Sequence, residues 1–242
     1  MAAGVKSKAM QLKYEFGSIV GQYPLWYEMW CHLASRDALS RFVTDDTDIV
    51  IEGFPRSGNT FAVAAFIIAQ DRNINVARHT HKVMQVIRAV RLNKPTLVLI
   101  RQPADAVLSL TIRHPYITLQ QALRTYIRYY NGVKPYRADY VLAKFEDVTI
   151  DCGKVIAKVN EHFGTGFDLF HHTHANEAKA FQLIEALHIN NTGNSSVDER
   201  AVARPSSTRS ESKSRLSGDL QNGASRAMLE KANHVYRQML DI

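Results

Sequence analysis

The chain has 242 residues, 45% of them apolar and 22% charged, proportions of an ordinary globular protein that exclude a disordered or fibrous one. Domains run to about 100–200 residues, so this length suits one sizeable α/β domain. Thirty Lys and Arg against 23 Asp and Glu leave a net charge of +7, which favours an anionic partner without choosing among a phosphorylated ligand, a nucleic acid and an acidic membrane face.

Residues 8–42 mix aromatic, aliphatic and charged residues at irregular helical spacing, Trp26, Tyr27, Trp30 and Leu33 among them. They predict a helical N-terminal extension over 1–47, packed on a core spanning 48–242. The basic residues at the N-terminus precede no apolar signal core. The longest apolar stretch, Phe61 to Ala69, has nine residues, under half of the roughly 20 that span a bilayer. Cys31 and Cys152 lie 121 residues apart, which suggests neither a disulfide framework nor a zinc site. These features predict a cytoplasmic protein.

Asp48-Ile49-Val50-Ile51-Glu52 is a short β-branched run bounded by Gly53 and Pro55, and reads as a buried strand. Thr60–Gln70 follows as a helix, Val76–Arg78 as a short strand, and Lys82 to about Leu92 as a second helix. Pro95–Ile100 is apolar enough to be a strand covered on both faces. Leu119–Tyr130 reads as a helix, Tyr140–Phe145 as a strand, and Lys154–Phe163 as an amphipathic helix closed by Gly164. This alternation predicts an α/β fold, a single P-loop-like domain with a central parallel sheet flanked by helices. Residues 187–218, rich in Ser, Thr, Asn, Arg and Lys, predict a long basic loop, and Ala224–Leu240 a closing helix.

The strongest motif is Gly53-Phe54-Pro55-Arg56-Ser57-Gly58-Asn59-Thr60, between the first strand and the helix after it. Its spacing is that of the P-loop, G-x-x-x-x-G-K-[ST], with Asn59 in place of lysine. Glycines allow the tight turn, and converging N–H groups with a helix N-terminus form an anion site. The missing lysine, which reaches the β- and γ-phosphates in nucleoside-triphosphate enzymes, counts against such an enzyme. Arg56 supplies a guanidinium that can fork onto a phosphate oxygen.

The string IEGFPRSGNTF, Ile51 to Phe61, resembles the 5′-phosphosulfate loop of sulfotransferases that use 3′-phosphoadenosine 5′-phosphosulfate (PAPS). Its arginine is similar to the bacterial and carbohydrate branches of that superfamily. The resemblance implies that Ser57, Gly58, Asn59 and Thr60 hold the 5′-phosphate with Arg56 beside them, and that Phe61 lies next to the adenine. Leu99-Ile100-Arg101-Gln102-Pro103-Ala104-Asp105 through Ser109 is similar to the family's 3′-phosphate segment, with its Arg and Ser eight residues apart. By that resemblance Arg101 and Ser109 bind the 3′-phosphate. Arg101 also stands where a kinase strand commonly ends in a Mg²⁺-holding Asp.

His79-Thr80-His81 looks like the family's Lys-Thr-His segment, and His81 precedes Arg101 by twenty residues. The resemblance makes His81 the catalytic base, with His79 the alternative if the local backbone differs. A histidine with a pKa near 6.5 suits the removal of a hydroxyl proton. A metal-binding reading of the His pair finds no third ligand by spacing, and no metal is expected. Lys144-Phe145-Glu146-Asp147 resembles the family's Tyr-Glu-Asp-Leu strand, with Phe145 where Tyr is usual. Lys213-Ser214-Arg215, ahead of Gly218-Asp219, is similar to the basic segment that closes over the 3′-phosphate, and so adds Lys213, Ser214 and Arg215 to the cofactor site. His171, His172 and His174 read as a solvated cluster.

The resemblance implies sulfuryl transfer from PAPS to a hydroxyl of a small-molecule, carbohydrate or lipid acceptor, with Arg56 and His81 as catalytic residues. A P-loop nucleotide or small-molecule kinase is the enzymatic alternative. A basic protein that binds nucleic acid or a membrane surface is the non-enzymatic one. The expectation is that no nucleic acid is bound, while the aromatic N-terminus leaves room for peripheral membrane contact.

Overall fold

Four short parallel strands build the frame that carries the site. The computed structural model describes residues 2–33, 41–192 and 207–241. In it β1 (Ile49–Gly53), β2 (Val76–Arg78), β3 (Thr96–Ile100) and β4 (Val141–Lys144) form one sheet in the order β2-β1-β3-β4. All three pairings are parallel. Every residue of β1 and β3 is buried, as a parallel sheet covered on both faces requires.

Side chains alternate across the sheet with the two-residue period of a strand. Ile49, Ile51, Leu97 and Leu99 enter one core with α3 (Asn59–Ala69), α7 (Phe145–Phe163) and α8 (His174–Thr192). Val98 and Ile100 face the opposite core, built with α4 (Val83–Arg91), α5 (Pro103–Arg113), α6 (Leu119–Val133) and α10 (Gly223–Leu240). α1 (Ala2–Val20) packs on α6, α2 (Pro24–Leu33) follows it, and α9 (Ser207–Leu220) packs on α5. The fold is therefore α/β, a central parallel sheet between two layers of helices.

The elements differ from the sequence reading at the start of α7, at α8, for which the sequence reading gave no element, and at α9. β4 ends at Lys144 and α7 starts at once with Phe145, although Lys154 is the expected start of that helix. α7 has a break at Asp151 (φ −151°, ψ 79°), where the Asp151 carboxylate accepts from Lys154 N at 3.1 Å. Asp151 caps the second half of the helix, and it is that half whose amphipathic period is legible. The region 187–218, expected to be one long basic loop, includes the end of α8 and most of α9. Its polar composition hides α9, whose apolar contact is confined to Leu216 and the buried Leu220, one turn apart. Residues 193–206 lie outside the described residues.

The strand order places the ligand side of the sheet. From β1 the chain passes to β2 on one flank and then to β3 on the other, so the direction of winding reverses between β1 and β3. In open α/β sheets, ligands bind at that point, outside the carboxyl ends of the strands. Gly53 pairs with Leu99 there, and a Cβ on Gly53 would lie 2.5 Å from Leu99 O and 2.8 Å from Asn59 Oδ1. Gly53→Ala should therefore overpack the strand ends and destabilise the fold by about 1–3 kcal/mol, read by denaturant unfolding. Gly166→Ala, where an added Cβ meets nothing within 4 Å, should stay within about 0.5 kcal/mol of the parent. Equal, small effects at both positions would contradict the close approach.

Candidate active site

The Gly53–Thr60 loop is held from beneath by its own side chains. Asn59, in the place of the P-loop lysine, is buried and donates from Nδ2 to Phe54 O at 2.9 Å. Ser57 is fully buried, its Oγ lies 3.4 Å from the Tyr130 hydroxyl, and its N–H donates to Phe54 O at 3.2 Å. These two side chains, expected at the 5′-phosphate, are turned inward as struts, because a loop this tight must satisfy its buried carbonyl from within. Any contact that Asn59 makes with an anion is through its backbone at the start of α3. The first amides of α3, like those of any helix, have no intrahelical acceptor.

Gly58 takes the left-handed conformation (φ 93°) that opens α3, and a Cβ there would press at 3.1 Å on the Phe145 ring. Phe145 has a second contact, with the Arg101 guanidinium 3.8 Å above its ring. The aromatic residue in the Lys144–Asp147 segment thus supports the loop and the arginine together, a role its face can fill without a hydroxyl. Phe61 is 6% exposed and packed among Phe170, His172 and Phe181. The structure places it in the core beside α8 rather than in the open position expected of an adenine neighbour.

Two motifs far apart in sequence close on each other. Arg101 Nη1 donates to Arg56 O at 3.2 Å, and Arg56 Nε donates to Ser109 Oγ at 2.9 Å. Arg56, Arg101 and Ser109 thus meet at the adjoining ends of β1 and β3. The sequence reading missed the two tyrosines behind them. Tyr126 donates to Arg101 O at 2.7 Å and Tyr130 to Leu99 O at 2.8 Å, pinning the end of β3 from one face of α6. Their four-residue spacing on a helix is the signal that could have found them. Lys213 reaches the same region from α9 and forms an ion pair with Asp105 in the first turn of α5. Ser214 is exposed, and the side chain of Arg215 lies outside the described residues.

Both histidines come to the loop. His81 Nδ1 lies 2.8 Å from Gly53 O, and His79 Nε2 lies 3.4 Å from Thr60 Oγ1. A carbonyl only accepts, so His81 carries its proton on Nδ1 and keeps the lone pair of Nε2 for a substrate. Among the described residues four non-glycines have positive φ, and three of them are Arg56 (70°), His79 (58°) and His81 (53°). Such backbone costs about 1–3 kcal/mol per residue and gathers where a site over-determines it. The expected solvation of the other histidine cluster fits His171 and His174, which are exposed. His172 instead packs its ring on Phe61 and Phe170. Among the described residues no three His, Cys, Asp or Glu side chains are grouped to hold a metal ion.

Glu52, a carboxylate inside an otherwise apolar strand, is the residue the sequence reading passed over. It is fully buried, and accepts from Thr80 N at 2.7 Å, Thr80 Oγ1 at 2.9 Å and His81 N at 3.1 Å. It therefore fixes the turn that presents both histidines. Burial pushes its pKa up to about 7 against the pull of these hydrogen bonds. Burial, with the nearby charges of Lys82 and Arg113, pushes His81 down to about 4. Burial and the charges of His81, Arg78, Arg41 and Arg113 push His79 to about 3. An unperturbed histidine, as expected from sequence, does not fit so enclosed and cationic a place. Both rings are neutral near pH 7.

A raised carboxyl pKa stabilises the fold below its unfolded value, and that stability is lost as pH rises through the folded value. For Glu52 the window runs from 4.5 to about 7. For the histidines the loss comes on the acid side, as pH falls from 6.5 towards about 4 and 3. Glu52→Gln should remove the decline in stability above pH 6.5, where the histidines no longer offset it, a tail of under about 1 kcal/mol out of about 3 kcal/mol for the whole Glu52 window by linkage. It should also be less stable than the parent at pH 6, because an amide offers one acceptor where two are used. Denaturant titrations across this range check both, and an unchanged decline in the variant would show that Glu52 is ionised throughout.

No protein-family model and no curated protein matches the sequence. Among solved structures the chain is similar to the mouse sulfotransferase SULT7A1 complexed with PAP, with a TM-score of 0.42 and 14% identity over 84% of this chain and 95% of that one. The function proposed below rests on the residues of the site itself.

Proposed function

We propose that the chain transfers a sulfuryl group from PAPS to an acceptor hydroxyl. The observation that carries this reading is the convergence of two separate anion-binding segments, the Arg56 loop and the Arg101–Ser109 segment, under a pair of neutral histidines. Two cationic segments at neighbouring strand ends suit a ligand with two separated phosphates. A kinase is disfavoured because Asn59 is a buried strut in place of the phosphate lysine, and because Arg101 has the opposite charge to a magnesium-binding Asp.

In this reading the amides opening α3 and the guanidinium of Arg56 bind the 5′-phosphosulfate side, and Arg101 binds the 3′-phosphate. The acceptor oxygen forms a bond to sulfur while the bond from sulfur to the 5′-phosphate oxygen breaks. The acceptor proton passes to His81 Nε2, and Arg56 with the loop amides stabilises the charge left on the departing phosphate. Glu52 acts through His81 as a positioning residue. Incubation with radiolabelled PAPS and a panel of sugar, lipid and phenol hydroxyls tests the reaction. Absence of labelled product from every class would overturn it.

The nucleotide site predicts that 3′-phosphoadenosine 5′-phosphate raises Tm without added metal, by about 2.7 kcal/mol of stabilisation at a hundredfold excess over Kd. Arg101→Ala should weaken this ligand far more than its analogue lacking the 3′-phosphate, and equal losses would remove Arg101 from that role.

The base predicts a split in the kinetics. His81→Ala should lower kcat by roughly 10²–10⁴-fold with nucleotide affinity nearly intact, and His79→Ala much less. The acid limb of kcat/KM, which reports the free protein, should lie near 4. That of kcat should move upward, because a bound polyanion favours the imidazolium. If His79→Ala abolishes turnover while His81→Ala keeps it, the two histidines exchange roles.

A further inference from the structure

α1 docks by Tyr14, packed on the core, and by a row of polar side chains beside it, and turns its larger apolar stripe outward. Glu15 accepts from Nε and Nη2 of Arg124, each at 3.1 Å, and pairs with Nη2 of Arg128 at 3.5 Å. Arg128 also bonds Ser18, and Gln121 reaches Gln11 O. The opposite stripe, Leu12, Phe16, Ile19 and Tyr23, is exposed, with Leu12 at 72%. α2 repeats the pattern with Trp26, Met29, Trp30 and Leu33 outward and Tyr27 buried, Leu33 reaching 77%. Phe16 and Trp26 touch edge to face, their ring centroids 6.4 Å apart, so the two stripes form one patch. A folded chain does not leave so many large apolar side chains in water without an occupant.

We propose that this α1–α2 face docks onto an anionic lipid bilayer. Exposed Lys8 and Lys13 lie on α1 beside the apolar stripe, Glu28 lies on α2, and the whole chain carries +7. That charge repels a second copy of the same chain and attracts an acidic bilayer. Trp, Tyr and Leu gathered on one outward face are the side chains of an interfacial helix. Among the described residues no helix is long and apolar enough to cross a membrane, so the contact is peripheral.

The patch runs into the candidate site. Lys82, the residue after His81, donates to Gly17 O at 2.8 Å and lies 4.8 Å above the Trp30 ring. Met84 N donates to Gly21 O at 3.1 Å. On the sulfuryl-transfer reading, a hydroxyl delivered to His81 from the bilayer would belong to an amphiphile.

The sequence has two tryptophans, Trp26 and Trp30, both in the patch, so their fluorescence reports its occupancy. With vesicles of mixed phosphatidylcholine and phosphatidylglycerol, the full chain should sediment with the lipid and its emission should shift to the blue. Pure phosphatidylcholine should bind it more weakly, and high salt should release it. Leu12→Ser with Leu33→Ser, both at exposed positions of the patch, should leave the melting curve unchanged and weaken partition by about tenfold or more. No sedimentation and no shift with mixed vesicles would overturn the proposal. So would a lipid-free dimer, seen by sedimentation velocity, that the same double substitution dissociates. Neither assay uses nucleotide or turnover, so failure here leaves the reaction standing, and failure of the reaction leaves this standing.

Discussion

The close pairing of β1 with β3 is the constraint on which the rest depends. It brings Arg56 and Arg101 together at the strand ends, although two guanidiniums repel. Neutral partners hold them there: Arg101 bonds the Arg56 carbonyl and lies over Phe145, while Arg56 bonds the Ser109 hydroxyl. Each of these three contacts is with an uncharged group, so they fix the positions of the guanidiniums without using a carboxylate. An anion seated between the two cations relieves a repulsion that folding has already imposed. Tyr126 and Tyr130 keep the strand end from yielding to it.

The histidine turn is built on the same economy of parts. Glu52 ends a strand whose other residues are apolar, and its two oxygens take up the N–H groups of Thr80 and His81. A backbone with two left-handed residues, His79 and His81, would otherwise relax. Proton position at His81 thus follows from carbonyl and carboxylate placement in β1, one strand away from the ring. The Gly53–Thr60 loop and the proposed base share a root at Glu52-Gly53.

What was legible in the sequence follows from where the signal is local. The strands at 49–53 and 96–100 declare themselves by unbroken apolar runs, and the loop between Gly53 and Thr60 by spacing that only a tight turn needs. Arg101 and Ser109 could be paired with Arg56 because each motif is contiguous. Side-chain direction was not legible. Ser57 and Asn59 look like phosphate ligands in a string of letters and face inward in the fold. The depressed histidines were hidden for the same reason, since the lowering of His81 comes first from its burial in the fold and in part from Arg113, which acts through space from α5. α9 escaped because a helix that buries little has almost no apolar period to read.

The strand order also sets a timetable. β1 is the first strand made, yet both of its neighbours come later, and the one that completes the candidate site ends at residue 100. Between Gly53 and Arg101 the chain grows by 48 residues, roughly 2–10 seconds of synthesis at about 5–20 residues per second. For that interval a strand that is apolar except for Glu52, and the loop after it, have no lasting partner on one side. The nascent chain is most exposed to chaperones and to its own kind before the second arginine has been added.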